Sequence, residues 1–442
     1  MKLTAIMLIL SLLLPLCASC APTGNSDNNT DGGGTAASAP DDSIRDENGF
    51  TIFSEGNYLA DQKFETDEFL PDYDADNDFI TLLTGVRELG ICTTDDTIYY
   101  AKEISGINGG LSHILIMLYD KATGISLPLC GKPECLHDDK NCNAYVEDTH
   151  LNFFSGPYIY DNKLYYSLKT SIWRMNLDGT AREQLRTFSY DVFGNGISGY
   201  PNAVLHRGYM YYSIPHNSVI SGQAMSGVAV WAVALDGDEE FKILETETNS
   251  NCWLRFIGND VYMMNMTSEW DDEGKIHQTL EFYLWNSETR QGEEIFKYIP
   301  EAEGEGIWGR NFRIVPGDGI YFPITLFKRT EDGTIEYDCN GIRKYSFESR
   351  CVEHAFWTYI DDMQGIDASF SSNFVSTRPG PNSILVQDYT GELIFYSGEL
   401  TGHVVRECIG ADDQYVYHTA GENGFEYILA IPIDGGEPIV LD

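Results

Sequence analysis

Basic residues are scarce in this sequence. Its 442 residues include 28 lysines and arginines against 68 aspartates and glutamates, which gives a formal net charge of −40 at pH 7. A surface this negative repels nucleic acids, anionic polymers and anionic lipid head groups. The composition therefore excludes nucleic acid as a partner and leaves a glycan, a peptide, cations or another protein. Solubility alone is the plainer explanation of the same charge.

Long apolar segments are also missing. The most apolar one, Ile6 to Leu16, is much shorter than the roughly 20 residues that a membrane-spanning helix needs. Small residues follow it, as they follow the hydrophobic part of a secretory signal peptide. The sequence therefore predicts an exported protein, with the signal peptide at residues 1–19.

The end of this segment resembles a bacterial lipobox. Its residues are Leu16-Cys17-Ala18-Ser19-Cys20, and Cys17 stands where that motif usually has leucine. The resemblance implies cleavage before Cys20, an acyl-bearing lipid on the Cys20 thiol, and anchoring to the extracytoplasmic face of the cell membrane. An ordinary signal peptide with an incidental cysteine is the alternative.

Apolar side chains are almost absent from residues 20–48. The stretch is rich in Gly, Ser, Asn, Asp, Thr, Ala and Pro, and it contains one isoleucine and no aromatic residue. Such a composition buries too little apolar surface to fold. A flexible chain of this length has an r.m.s. reach of about 30 Å. We predict a disordered tether here, and a folded body over residues 49–442.

Helical periodicity is missing from the folded body, where two strand patterns alternate seven times each instead. The first pattern is a polar turn followed by an aromatic or aliphatic strand. Its copies are DDTIYY (95–100), DNKLYY (161–166), HRGYMYY (206–212), GNDVYMM (258–264), GDGIYFP (317–323), the degenerate PNSILVQ (381–387) and DDQYVYH (412–418). The second is a strand that runs into a tight turn, as in SIWRMNLDGT (171–180) and GELIFYSGELTG (391–402). Each pair has the composition of a hairpin.

A short third strand follows most hairpins, as in EQLRTF (183–188), HVVREC (403–408) and EPIVLD (437–442). Strand groups repeated in this way are typical of β-propeller blades. We predict an all-β chain that forms a seven-bladed β-propeller, with an eighth blade possible if residues 51–60 contribute one. Ring closure is expected to place a strand from residues 49–94 beside EPIVLD. Trp173, Trp231 and Trp285 occupy related positions, so we expect them on middle strands, packed between blades.

The chain resembles the propeller-type surface lipoproteins of Gram-positive anaerobes. These proteins combine a lipobox, a polar tether, blades rich in Tyr-Tyr and Asp-Gly, and an insertion of the form LC-x-KP-x-C-x-H…C-x-A. PLCGKPECLHDDKNCNAY (128–145) matches that insertion closely. More distantly, the blades are similar to those of TolB-type and YWTD-type propellers. The resemblance implies the fold and the location, and it implies no established activity.

Motifs of catalysis are missing. The sequence has no G-x-S-x-G nucleophile elbow and no H-E-x-x-H zinc motif, and its nine histidines are scattered singly. We therefore predict a lipid-anchored binding or scaffolding module rather than an enzyme. Propellers can also assemble a site from loops of several blades, so a carbohydrate-active or metal-dependent enzyme of lyase or lactonase type is the alternative.

One cluster of reactive side chains breaks this pattern. Cys130, Cys135, His137 and Cys142 lie within thirteen positions, with the spacing C-x4-C-x-H-x4-C. Three thiolates and one imidazole form a complete tetrahedral set for zinc, and the same set accepts iron. Four protein ligands leave no open position for substrate, so such an ion would be structural. A disulfide with one spare thiol, or three reduced and idle cysteines, are the alternatives.

Overall fold

The computed structural model describes most of the chain after residue 90. The chain divides into Met1–Ser38 and Ala39–Asp442, and everything described below belongs to the second unit. The described residues are 44–45, 51–52, 91–104, 113–146, 154–188, 202–220, 223–246, 250–270, 276–300, 305–307, 311–329, 335–360, 363–364, 366–370, 374–380, 382–411, 414–422 and 425–441. The predicted signal peptide, Cys20 and all but two residues of the predicted tether lie outside these ranges.

All regular structure in these ranges is β-strand. The strands are β1 (Ile44–Arg45), β2 (Thr51–Ile52), β3 (Ile91–Thr93), β4 (Thr97–Ile104), β5 (His113–Asp120), β6 (Ile125–Pro128), β7 (Tyr145–Val146), β8 (Phe154–Tyr160), β9 (Lys163–Leu168), β10 (Ser171–Asn176), β11 (Glu183–Thr187), β12 (Asn202–His206), β13 (Tyr209–Ile220), β14 (Gln223–Ala234), β15 (Glu240–Glu245), β16 (Ser250–Ile257), β17 (Asp260–Trp270), β18 (Ile276–Asn286), β19 (Gln291–Tyr298), β20 (Glu305–Gly306), β21 (Arg313–Val315), β22 (Gly319–Arg329), β23 (Ile335–Ser346), β24 (Val352–Trp357), β25 (Tyr359–Ile360), β26 (Met363–Gln364), β27 (Ile366–Phe370), β28 (Val375–Gly380), β29 (Ser383–Gln387), β30 (Leu393–Tyr396), β31 (Val404–Ala411), β32 (Tyr415–Glu422), β33 (Phe425–Pro432) and β34 (Ile439–Leu441). Among these described residues, no helix has the length and apolarity to cross a membrane.

Seven antiparallel sheets of four or five strands follow one another along the described part of the chain, which is the arrangement of a seven-bladed β-propeller. Two further sheets, β1–β2 and β25–β26, have two short strands each. Blade 1 is β3–β7, blade 2 is β8–β11, blade 3 is β12–β15, blade 4 is β16–β19, blade 5 is β20–β24, blade 6 is β27–β30 and blade 7 is β31–β34. First strands of neighbouring blades lie against each other, as β8 does against β3 and β12, and β31 against β27. Each blade is therefore built outward from the innermost strand. The predicted fold class is confirmed.

The hydrophobic core lies between blades. Five clusters of buried side chains each combine residues from adjacent sheets. Trp173, Trp231 and Trp285 lie on β10, β14 and β18, the third strands of blades 2, 3 and 4. Trp231 contacts Phe188 of the preceding blade at 5.4 Å between ring centroids, and Trp285 contacts Phe241 of its preceding blade at the same distance. These tryptophans therefore pack between blades, as the repeats predict.

One detail differs from the sequence-based expectations. HVVREC was expected to form an outer strand, but it forms most of β31, the innermost strand of blade 7, because β27 and β28 already supply the first two strands of blade 6. The expected closing strand beside β34 stays a prediction, because most of residues 49–94 lies outside the described ranges. Within the described part of that stretch, β3 pairs with β4 inside blade 1, and β2 pairs with β1. Most of residues 51–60, the candidate eighth blade, lies outside the described ranges.

Candidate metal centre

The Cys/His insertion interrupts the outer strand of blade 1. β6 and β7 both pair with the same edge of β5, and residues 129–144 form the loop between them. The neck of the loop closes on one residue: the Leu129 N–H donates to the Ile116 carbonyl oxygen at 2.8 Å, and the Ile116 N–H donates to the Ala144 carbonyl oxygen at 3.0 Å. The sheet therefore fixes both ends of the insertion before any ligand is considered.

The four predicted ligands meet inside this loop. The sulfur atoms of Cys130, Cys135 and Cys142 and a ring nitrogen of His137 all lie within 4.8 Å of one another. Zinc–sulfur bonds of about 2.3 Å in a tetrahedron place sulfur atoms about 3.8 Å apart, so one ion fits this spacing. The three thiols are free, and the His137 Nδ1 lies 3.3 Å from the Cys142 Sγ. His137 is buried and faces the sulfur atoms rather than solvent.

Backbone amides surround the sulfur atoms in a repeated pattern. The backbone N–H two residues after each cysteine acts to lower the pKa of that cysteine: Lys132 acts on Cys130, His137 on Cys135 and Ala144 on Cys142. Donors aimed at sulfur stabilise negative charge there and orient the ligand, as outer-shell groups of metal sites do. The loop backbone is thus arranged around three sulfur ligands.

The thiols share their protons unequally. The pKa of Cys130 is well below its usual value, chiefly because Cys142 donates to its sulfur, with further donation from His137 and from the backbone of Asn143 and Lys132. The pKa of Cys142 is raised by the same hydrogen bond and by burial. Burial is also the main cause of the raised pKa of Cys135. One thiolate is therefore already favoured at the centre, which is the form that binds a metal.

Hydrophobic burial cannot hold the loop in this shape. Between residues 131 and 143, His137 and Cys142 are the buried side chains, while Leu136 is 54% exposed. Glu134 and His137 have positive φ angles of 58° and 60°, which residues other than glycine adopt at a cost. The Asp139 carboxylate accepts from the Asn141 backbone N–H at 2.7 Å. Polar turns and the four candidate ligands are the contacts that fold this segment.

Blade 2 locks the neck of the insertion from the side. Gly179 has a φ of +75°, and a Cβ atom there would lie 2.2 Å from the Leu129 carbonyl oxygen, so only glycine fits. The Arg182 guanidinium donates to the carbonyl oxygens of Tyr145 and, at 3.5 Å, of Asn143. It also lies 5.0 Å from the Trp173 ring centroid. The metal candidate therefore lies at the junction of blades 1 and 2.

Sequence reasoning found the four ligand candidates and missed these supports. Gly179 and Arg182 belong to the turn DGTAR (178–182), which looks like the ordinary Asp-Gly turn of any blade. Their role depends on which backbone the neighbouring blade brings beside them, and a single sequence contains no signal for that.

Comparisons with known proteins find only distant structural likenesses. No protein-family model matches the chain, and no curated protein matches it. Solved structures that resemble it include the acylaminoacyl peptidase of Pyrococcus horikoshii, at 12% identity and a TM-score of 0.48 over 82% of this chain and 52% of that one. The β-propeller domain of the Trilobed protease from Pyrococcus furiosus has 12% identity and a TM-score of 0.45, with coverage of 81% and 97%. TolB from Acinetobacter baumannii has 15% identity and a TM-score of 0.35, with coverage of 78% and 76%.

All three likenesses have TM-scores below 0.5. The chain spans about half the length of the acylaminoacyl peptidase that it matches. At such identities and scores the likeness says nothing of activity, and the seven sheets themselves carry the fold assignment. Membership of the Gram-positive lipoprotein family stays a prediction from the sequence.

Proposed function

We propose that this protein is a lipid-anchored, extracytoplasmic β-propeller that works as a binding module for a glycan, a peptide or another protein. We also propose that Cys130, Cys135, His137 and Cys142 hold one structural metal ion, zinc or iron. The observation that carries the proposal is the insertion: a polar loop, closed at its neck and folded around four candidate ligands, that presents an apolar side chain to solvent.

The ligand set supports a structural role for the ion. A centre with four protein ligands is closed, whereas catalytic zinc sites keep a position for water or substrate. The ion would replace the hydrophobic core that a loop of this composition lacks, so that ion binding and loop folding become one equilibrium. Such a centre fixes a surface and performs no reaction.

The fixed surface supports a role in recognition. Leu136 lies between two of the ligands and is exposed, with Glu134, Asp138 and Asp139 around it. A loop that is rigid before it meets a ligand loses little conformational entropy on binding. The insertion also exposes Lys132 and Lys140, so it supplies a preorganised contact with one apolar point and a border of charged residues of both signs.

Metal analysis of anaerobically purified protein tests the centre. About one zinc or iron per chain is expected, and the Cys135→Ser variant should lose it. Cys351, an exposed cysteine far along the chain, provides the matched control, so Cys351→Ser should keep the ion. A native disulfide between any two of Cys130, Cys135 and Cys142 would contradict the proposal.

Fractionation tests the anchor. The wild-type protein should sediment with membranes and partition into detergent. Cys20→Ala should leave an unprocessed or a soluble secreted form, whereas Cys17→Ala should behave as wild type. If only Cys17→Ala releases the protein, the lipobox register is wrong by three residues.

A further inference from the structure

The outer strands of the seven blades differ in charge. Blades 2 to 5 place charged side chains on their exposed outermost strands. Examples are Glu183 on β11, Lys242 on β15, Glu294 on β19 and Glu353 on β24. Charged residues on an edge strand prevent another strand from adding to it. These four blades are therefore protected against edge pairing.

Blades 6 and 7 lack this protection. Their outermost strands, β30 and β34, read LIFY and IVL and contain no charged residue. Leu393, Ile394, Tyr396 and Val440 are each between 38% and 49% exposed. In the described part of the chain, β30 pairs only with β29 and β34 only with β33, so their outer edges meet no further strand. We name these four side chains the apolar edge.

Other features of the blades do not account for the difference. In each of blades 2 to 6, a bulge interrupts the pairing of the third strand with the fourth. The bulge at β30 therefore occurs equally in the blades with charged outer strands. Blade 1 also has an uncharged outer strand, β6, but two of its residues, Leu127 and Pro128, are buried. Among the described residues, only blades 6 and 7 have an outermost strand that is both uncharged and exposed.

The two strands are the outermost strands of adjacent blades. Phe395, on β30, packs into the cluster between blades 6 and 7, and its ring lies 3.7 Å from the position of a Cβ on Gly435, in the turn that leads to β34. Leu393, Ile394 and Tyr396 lie close together on β30 itself and form a contiguous exposed apolar patch. Such patches mark interaction sites more often than scattered single residues do.

The charge around the apolar edge determines which kind of ligand can bind there. The exposed residues next to the two strands are acidic: Glu392 and Glu399 flank β30, and Asp434 and Glu437 precede β34. No lysine or arginine occurs in residues 388–402 or 432–442. A second copy of this chain would bring a net charge of −40 and the same acidic border, and an anionic lipid surface would be repelled as well. An extended segment with basic ends meets none of these obstacles.

We infer that the apolar edge binds an extended polypeptide segment whose alternating apolar side chains are flanked by basic residues. The segment adds to β30 as a further strand: its backbone pairs with the free edge, and its apolar side chains cover Leu393, Ile394 and Tyr396. Its basic ends lie against Glu392 and Glu399. This inference deepens the binding role proposed above by naming a partner class, and it does not depend on the metal ion.

The test uses the purified full-length chain and a set of synthetic nonapeptides. Each peptide alternates Val, Ile, Thr or Tyr with Ser and carries Lys at both ends, and a matched set carries Glu. Binding is followed by fluorescence anisotropy and by hydrogen exchange at residues 393–396. Lys-ended peptides should bind and slow the exchange of these amides, and Glu-ended peptides should bind at least about tenfold more weakly.

Charge placed on the edge should abolish this binding. Ile394→Lys should weaken it by at least about tenfold, while Ile299→Lys, at an isolated side chain that is 60% exposed, should not. Leu136→Lys separates the two proposed contacts. If that variant loses peptide binding while Ile394→Lys keeps it, recognition belongs to the insertion, and this inference is overturned while the binding role stands.

Three further outcomes would overturn it. They are a complete lack of binding by the Lys-ended set at about 1 mM, self-association of the wild type that Ile394→Lys removes, and binding to phosphatidylcholine vesicles that Ile394→Lys removes. The second would assign the edge to another copy of the chain, and the third would assign it to lipid. Thermal unfolding of each variant confirms that it is folded.

Discussion

The two faces of blade 1 share one buried apolar cluster and differ in the polar contacts that they add to it. Against blade 2, the contact combines apolar packing, to which Phe154, Tyr166 and Leu177 contribute, with directed polar contacts. Arg182 donates to carbonyl oxygens of the insertion, and Gly179 lets two backbones approach closely. Against blade 7, the contact is mainly apolar, because Ile428, Ala430 and Leu441 of blade 7 belong to the same buried cluster as the core of blade 1. Lys121 adds one polar contact to that face, because its Nζ donates to the Gln414 side-chain oxygen at 3.3 Å.

The difference shows how two demands are met in one ring. The junction of blades 1 and 2 has to hold a polar insertion in one shape, which requires directed hydrogen bonds and the proposed ion. The junction of blades 7 and 1 has only to keep the ring closed, and non-directional burial is sufficient for that. We therefore expect metal removal to loosen the first junction and leave the second intact.

An ordinary junction sets the scale for both faces. Trp285 is buried between blades 3 and 4, far from the insertion and from ring closure. Trp285→Ala should lower the free energy of unfolding by about 3–5 kcal/mol, since it leaves a large cavity. Urea unfolding measures this, and metal content should not change. A loss below about 1 kcal/mol would mean that the blades do not pack through this side chain.

The face of blade 1 that meets blade 7 should lose stability when a cavity is created there. Leu441 is fully buried in the cluster that joins blades 7 and 1. Leu441→Ala should cost about 2–5 kcal/mol in urea unfolding and leave metal content unchanged. Val440→Ala, at the exposed neighbour on the same strand, is the control and should be nearly neutral. A variant that lost metal with its stability would show that the two faces are not independent.

Acid should act at a junction away from blade 1. His206 stacks on Phe256 between blades 3 and 4, and burial lowers its pKa from 6.5 to about 4. The unfolded chain therefore binds this proton first as the pH falls. The stabilisation that neutral His206 gives to the folded protein is fully present above about pH 6.5. It is lost as the pH falls towards 4, which lowers the free energy of unfolding by about 3 kcal/mol. Urea unfolding between pH 7 and pH 4 measures the loss, and His206→Gln should flatten it.

The face of blade 1 that meets blade 2 should show a smaller loss of stability, accompanied by a loss of metal affinity. Arg182→Ala removes charged hydrogen bonds to the insertion, so we expect a cost of about 1.5–3 kcal/mol. Zinc affinity should fall by about tenfold or more, because Asn143 donates its N–H to Cys130 and accepts from Arg182. Arg186 is the matched control: it donates to the Ala234 and Gly237 carbonyl oxygens of blade 3. Arg186→Ala should reduce stability and keep the zinc affinity.

Local patterns predicted the blades and the tryptophans that pack between them, whereas the supports of the insertion in blade 2 escaped prediction. Alternating Tyr-rich strands and Asp-Gly turns are readable because side chains alternate across a strand and tight turns need particular residues. The four ligands of the proposed centre were found because they are close in sequence. Gly179 and Arg182 were missed because their partners lie in another blade.

The register of blade 6 shows the limit of such patterns. PNSILVQ is a degenerate repeat. The repeat pattern predicted it as the second strand of blade 6, but it forms the third, so HVVREC was assigned to blade 6 instead of blade 7. Periodicity identifies strands, but only pairing decides which sheet each one joins.

Each blade is made from consecutive residues, and this has a kinetic consequence. A blade can form as soon as its own strands have been synthesised, because its pairings are hairpins of short separation. Closing the ring is different: the contact between Lys121 and Gln414 joins positions 293 residues apart. The entropy of closing so long a loop falls on that final step. We expect the docking of blade 7 on blade 1 to limit the folding rate, so that synthesis from one end yields an open chain of finished blades before it yields a ring.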